Sequence, residues 1–186
     1  MMKYLQIILI ALACFSCKKS NDPYPYTFHS IKNYDDTEVE VLAKYVKKND
    51  TISIVEFLKD NPNVSIDTKD RYFGHSLLMF AIFNGKYEAF HCLLNHGADF
   101  NTKYYGRSPA DDAIILIKPE IAEYLIIEKK ALIYNHPFWK SWEGYEDPKF
   151  ASSLASSRKR IINYLKEHPE QLMYNKATKS NKDSIQ

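Results

Sequence analysis

Glycine is scarce in this chain: five residues in 186, each standing alone. Isolated glycines exclude the Gly-rich loop whose backbone N–H groups cradle a phosphate. Cysteine is scarcer still, at three. Two of these, Cys14 and Cys17, end an N-terminal apolar run, so the rest of the chain holds only Cys92 and no disulfide within it is expected. A Cys-x-x-Cys redox motif belongs in a folded βα setting, and Cys14–Cys17 sits at a processing site instead. The six histidines show no His-Glu-x-x-His or Cys/His metal spacing. His91 and His96 are five apart, about 140° round a helix and badly placed to chelate. Charge of one sign is missing too: 25 basic residues against 23 acidic give a net +2, with none of the clustered basic face that nucleic acid requires. Asp111 and Asp112 are adjacent, so on a helix they diverge rather than form a carboxylate pair; helix N-terminal charge accounts for them. No nucleophile elbow supports a Ser-His-Asp triad. We expect no enzyme, no metal and no cofactor.

What is present begins with a targeting segment. Lys3 supplies a short positive start, and Tyr4 to Phe15 is apolar apart from Gln6. About a dozen residues is too short for a bilayer, which needs about 20, and suits a cleaved signal. The segment closes as Cys14-Phe15-Ser16-Cys17, then Lys18-Lys19-Ser20-Asn21-Asp22. Small Ser16 before Cys17 resembles the lipobox of bacterial lipoproteins. Ala11-Leu12-Ala13-Cys14 is a competing lipobox, but the polar run starts directly after Cys17. The resemblance implies a signal over residues 1–16, lipidation of Cys17 and a cell-envelope location. Lys18, rather than Asp, after the cysteine points by analogy to an outer membrane. One acyl chain binds only reversibly, at about 0.8 kcal/mol per buried methylene; the several chains of a lipoprotein would hold permanently. Residues 17–36 read as a polar tether, in which Tyr24, Tyr26 and Phe28 are alternatively a cap on the first folded unit.

The remainder repeats. Gly74–Asn101, GHSLLMFAIFNGKYEAFHCLLNHGADFN, reads as a helix, an Asn-Gly turn, a second helix ending in Leu-Leu, and a Gly-Ala-Asp exit. Gly74-His75-Ser76 returns as Gly106-Arg107-Ser108 at an offset of 32, as do Ala81 at Ala113 and Leu93 at Leu125. Upstream, Leu58 precedes Leu93 by 35 and Asp67-Thr68-Lys69 precedes Asn101-Thr102-Lys103 by 34. Ankyrin repeats have a period near 33, and on these residues the chain resembles the ankyrin family. The family's Thr-Pro-Leu-His opening is here Ser76-Leu77-Leu78-Met79 and Ser108-Pro109-Ala110-Asp111, both without the histidine. Its inter-repeat hydrogen bonds must therefore be missing or replaced. The turn glycine, Gly85, becomes Ile117 in the next unit.

The expected fold is all-α, an ankyrin-repeat solenoid of stacked helix pairs with β-turn tips over residues 37–175. Units run over about 37–69, 72–103 and 106–135, with a degenerate last pair at 148–175 and a disordered tail at 176–186. Thr37–Glu40 reads as a capping box, followed by Val41, Leu42, Tyr45 and Val46 on one helix face. A partner helix from Thr51 to Asp60 turns Ile54, Val55 and Leu58 inward, ended by Asn61-Pro62. Cys92 falls in an apolar stripe and reads as a buried small hydrophobe. Trp139 and Trp142 either cover the third unit or form a binding loop.

The resemblance implies protein binding through the loop tips and the facing side of the first helices. By register the tips are Arg71, Tyr72, Phe73 and His75, then Tyr104, Tyr105 and Arg107, with Phe83 and Asn84 on the variable helix positions. Tyr and Arg dominate binding hot spots; tip-against-tip packing is the competing role. The expectation is a monomeric, lipid-anchored envelope protein that binds another protein. Alternatives are an immunity protein that neutralises a toxin and, last, an envelope hydrolase.

Overall fold

The computed structural model describes residues 27–134 and 152–173. The signal, Cys14, Cys17, Tyr24, Tyr26, Trp139, Trp142 and the tail at 176–186 lie outside the described residues. Helices α1 (Glu40–Lys48) and α2 (Thr51–Asp60) form the first pair, α3 (Leu77–Phe83) and α4 (Tyr87–Asn95) the second. The third is α5 (Pro109–Ile115) with α6 (Pro119–Glu123), which runs on as a π-helical turn over Tyr124–Glu128. Helix α7 (Ser152–Glu167) follows. Inner helices α1, α3 and α5 pack in series, and α2 packs on α4 behind them. This all-α stack is the expected architecture.

Local chemistry explains three of the starts. Ser76 caps α3 and accepts from Met79 N at 3.4 Å. Ser108 caps α5 with a full capping box, and Asp50 caps α2 by accepting from Ser53 N at 3.1 Å. The turn inside each pair needs a left-handed residue: Asn49 at φ 62°, Gly85 at 61° and Ile117 at 54°. Glycine and asparagine tolerate that region, whereas a β-branched residue is strained there. Gly97 ends α4 in the same conformation, at φ 92°.

The core is continuous through all three pairs. Every residue from Leu77 to Ile82 is buried, and full burial of a large apolar side chain stabilises by about 1.5–3 kcal/mol. Ala81 and Ala113 lie at the same register, both fully buried, where small side chains let α3 and α5 approach. Cys92 is buried at the back of α4.

Four expectations are corrected. Thr37 does not cap α1: its hydroxyl donates to Tyr34 O at 2.6 Å, and Glu40 accepts instead from Asp36 N at 3.1 Å. Val41 and Val55 are exposed, because Ala43 and Ile54 take the inward positions. The end of the expected tether is folded. Residues Ile31–Tyr34 form a 3₁₀ turn capped by Ser30, with Tyr34 and Asn33 buried. Finally, the described part of 148–175 is one helix and a short 3₁₀ turn, Pro169–Gln171, rather than a helix pair. Its Ile161 and Leu165 are buried and α7 packs on α6. Ile133 and Leu172 close it with a parallel bridge.

Candidate partner-binding site

Two tips project from the stack. In the first, Asp70 is the organiser. Its Oδ1 accepts from Tyr72 N at 2.9 Å and Phe73 N at 2.6 Å, and its Oδ2 from His75 N at 2.8 Å. Asp70 N and His75 O close the turn at 2.9 Å. An Asx-type turn of this kind uses the short side chain to replace backbone partners, and Gly74, at φ 68°, supplies the reversal. A Cβ at Gly74 would also meet the Tyr104 ring at 3.1 Å.

The second tip is a two-residue hairpin. Tyr104 and Arg107 exchange both backbone hydrogen bonds at 2.9 Å. Tyr105 and Gly106 between them have φ 43° and 73°, the positive pair that a type I′ turn demands. The turn holds Tyr105 out at 87% exposure, with its ring edge-on to Tyr104 at 4.4 Å.

The candidate residues divide accordingly. Tyr105 and Tyr72, the latter half exposed, stand at the tip surface. Arg71 is exposed and reaches back to Asp36, 3.3 Å to Oδ2 and 2.9 Å to its carbonyl. An exposed pair of this kind adds little stability. Arg107 is half-buried, its Nε 3.4 Å from Asp112 Oδ1. Burial pushes the Asp112 carboxyl up to about 6, against the opposing pull of Arg107. Asn84 is committed to the scaffold: its Oδ1 accepts from Lys47 Nζ, and its Nδ2 donates to Phe80 O at 2.9 Å.

His75 is not at the surface. It is 1% exposed and enclosed by Phe28, Phe73, Phe83 and Tyr104, with ring centroids 4.2–5.8 Å away. Its Nδ1 lies 3.6 Å from Asp70 Oδ2, too far for a hydrogen bond. Burial holds its pKa down to about 4, so the ring is neutral at pH 7. Phe73 and Phe83 are half-buried around it. The glycine and serine flanking His75 placed it at the tip by register, but the register did not reveal the four rings that close over it.

Sequence reasoning missed two residues here, Asp70 and Tyr34, and read a third, Asp111, only as helix N-terminal charge. Asp70 carried an Asx-turn signal four residues before Gly74. Tyr34 lay in the expected tether, yet its hydroxyl is 3.1 Å from both His75 O and Ser76 O, donating to one or the other. Asp111 occupies the family's histidine position and replaces its bonds. Asp111 Oδ2 accepts from Ser108 N at 2.7 Å and from Tyr134 N at 3.1 Å, joining α5 to the next tip segment. Met79, at the same position one unit earlier, is simply buried.

Among the described residues no group of His, Cys, Asp or Glu is arranged to hold a metal ion, and no helix is long and apolar enough to cross a membrane. Stacked helix pairs that share one core and carry exposed aromatic turns along an edge define a solenoid of the binding-module class. A family model for ankyrin repeats matches residues 28–135 in three copies, more than half of the chain, and the chain belongs to the ankyrin-repeat family. Its domain is of a kind that is typically non-catalytic and generally binds proteins. The match starts at residue 28, in keeping with the folded segment before α1. No curated protein matches the chain.

Proposed function

We propose that this is a lipid-anchored cell-envelope protein whose ankyrin array binds another protein through its tips. The observation that carries the binding site is the pair of turns that hold Tyr72 and Tyr105 outward on rigid backbones. Tyrosine offers a large contact area at low entropic cost, and a turn fixed by Asp70 or by two backbone bonds loses little more on binding. Arg71 and Arg107 flank these rings and add charge. The anchor rests on the lipobox-like Ser16-Cys17 and the apolar run before it.

Capture of the tagged protein from membranes tests the site. The expected outcome is one specific partner, lost when Tyr72, Tyr104 and Tyr105 are all changed to Ala. Unchanged recovery by the triple variant would refute tip binding. Incorporation of radiolabelled palmitate tests the anchor: label should disappear in Cys17→Ala and persist in Cys14→Ala. Persistence in Cys17→Ala would move the lipid elsewhere or remove it from the reading.

A further inference from the structure

The chain fills part of its own inner face. Phe28, from the segment leading into the array, lies against the second unit. Its ring is 4.6 Å from Phe73 and edge-on, 5.2 Å from His75, and 5.4 Å from Phe83 and nearly parallel at 21°. His29 follows, its ring perpendicular to Phe83 at 6.1 Å and its carbonyl accepting from Lys47 Nζ at 3.1 Å. Ser30 N donates to Thr27 O at 2.9 Å, so the segment presents the Phe28 ring from a turn, seated among rings with the next carbonyl held by a lysine.

The segment is held unequally along its length. Its second half is anchored: Asn33 and Tyr34 are buried, Tyr34 is bonded into the first tip, and Asn33 O accepts from Arg71 N at 3.2 Å. Its first half is held by ring packing and one lysine: Phe28 remains 40% exposed, His29 O accepts from Lys47 Nζ, and Thr27 O accepts from Asn33 and Ser30 of the same segment. Parting the two halves at Ser30 breaks the bonds to Thr27 O and the Lys47 bond to His29 O but none made by Tyr34. Release would uncover Phe73, His75 and Phe83 together.

We propose that Phe73, His75 and Phe83 form a docking site for a peptide that turns about an aromatic side chain, and that residues 27–30 fill it in cis as a strap which such a partner displaces. The inference rests on the reading that the array binds a protein, and it names the chemistry of that partner. A strap tethered beside its own site competes at high effective concentration. The apparent affinity of an incoming peptide falls by the fraction of time the site is open.

The test adds a fluorescent peptide with the sequence of residues 24–33 to the chain without its signal segment. It should bind Phe28→Ala about tenfold or more tightly than wild type. Binding should be lost with Phe28→Ala/Phe83→Ala, and with a peptide carrying Ala at position 28. Equal binding to wild type and a folded Phe28→Ala overturns the proposal, as does no binding to either. If Phe28→Ala does not fold, wild type decides by itself. Diethyl pyrocarbonate should modify His75 faster than the α3 amides exchange; modification no faster than that exchange means the strap does not open, and the proposal fails. A negative peptide result beside tip-dependent capture overturns the strap alone. A positive peptide result beside tip-independent capture supports the strap and refutes the tips.

Discussion

Ile117 does a job that Asn49 and Gly85 do in the other two units. Its φ of 54° costs an L-residue about 1–2 kcal/mol, and its side chain is half exposed, so little burial opposes its removal. Ile117→Gly should raise Tm by about 2–4 °C, measured by calorimetry. Gly85→Ala should lower stability by about 1 kcal/mol, since a Cβ there meets only Lys118 Nζ at 3.7 Å and the penalty is backbone strain. His75 and Asp112 make a second prediction, in acid. The folded pKa of His75 is lowered from 6.5 to about 4, so its contribution is complete above pH 6.5 and lost as pH falls to 4. The folded pKa of Asp112 is raised from 3.8 to about 6, so its contribution is complete below pH 3.8 and lost as pH rises through 6. The two oppose each other between pH 4 and 6. Denaturation across that window should separate them. Relative to wild type, Asp112→Asn should gain stability as pH rises from 4 to 6, and His75→Phe should gain as pH falls from 6.5 to 4. Parallel pH profiles for all three proteins would refute the assignment.

The third pair shows how an element is coupled to the next. Ser108 and Asp111 form the N-terminal cap of α5 and also grip the segment after α6. Ser108 Oγ lies 2.9 Å from both Leu132 O and Asp111 Oδ2, donating to one or the other, and Tyr134 N donates to Asp111. Asn101 Oδ1 adds a bond from Leu132 N at 2.9 Å. A helix cap contributes about 1 kcal/mol, and a buried donor left unpaired costs about 1–3 kcal/mol more. Asp111→Ala should therefore destabilise by about 2–4 kcal/mol in urea titration. Amide exchange at Tyr134 should accelerate in that variant while exchange in α1 and α2 stays unchanged. Helix spans were the most legible level in the sequence: Thr51–Asp60 follows from the Ile54 stripe and Asn61-Pro62. The facing of α1 was less legible, because the more hydrophobic Val41 is exposed and Ala43 is buried.

Across the whole molecule, each pair buries its apolar side only against its neighbours, so stability is a sum of units and interfaces. The first pair is closed by Tyr34 and the 3₁₀ turn, and the third by α7 through Ile161 and Leu165. Ile161→Ala should destabilise by about 2–5 kcal/mol. The loss should be local: faster amide exchange across α5, α6 and α7, with α3 and α4 little affected. Uniform acceleration through the stack would show a single cooperative unit instead.

Periodicity alone determined the architecture, because units of near-constant length with Leu, Ala and Gly at fixed offsets have few ways to bury their stripes other than by stacking. Register against the ankyrin family placed the tips, and Gly74 and Gly106 sit there at positive φ, where the backbone reverses. Tertiary structure decided which tip residues face outward. Tyr105 and His75 look equally suited to binding by register, but a type I′ turn ejects one and four rings bury the other. It also decided that Phe28 and Tyr34 belong to the fold. Their partners lie about 40 to 55 residues away in sequence, and contacts at that separation leave no local pattern to read.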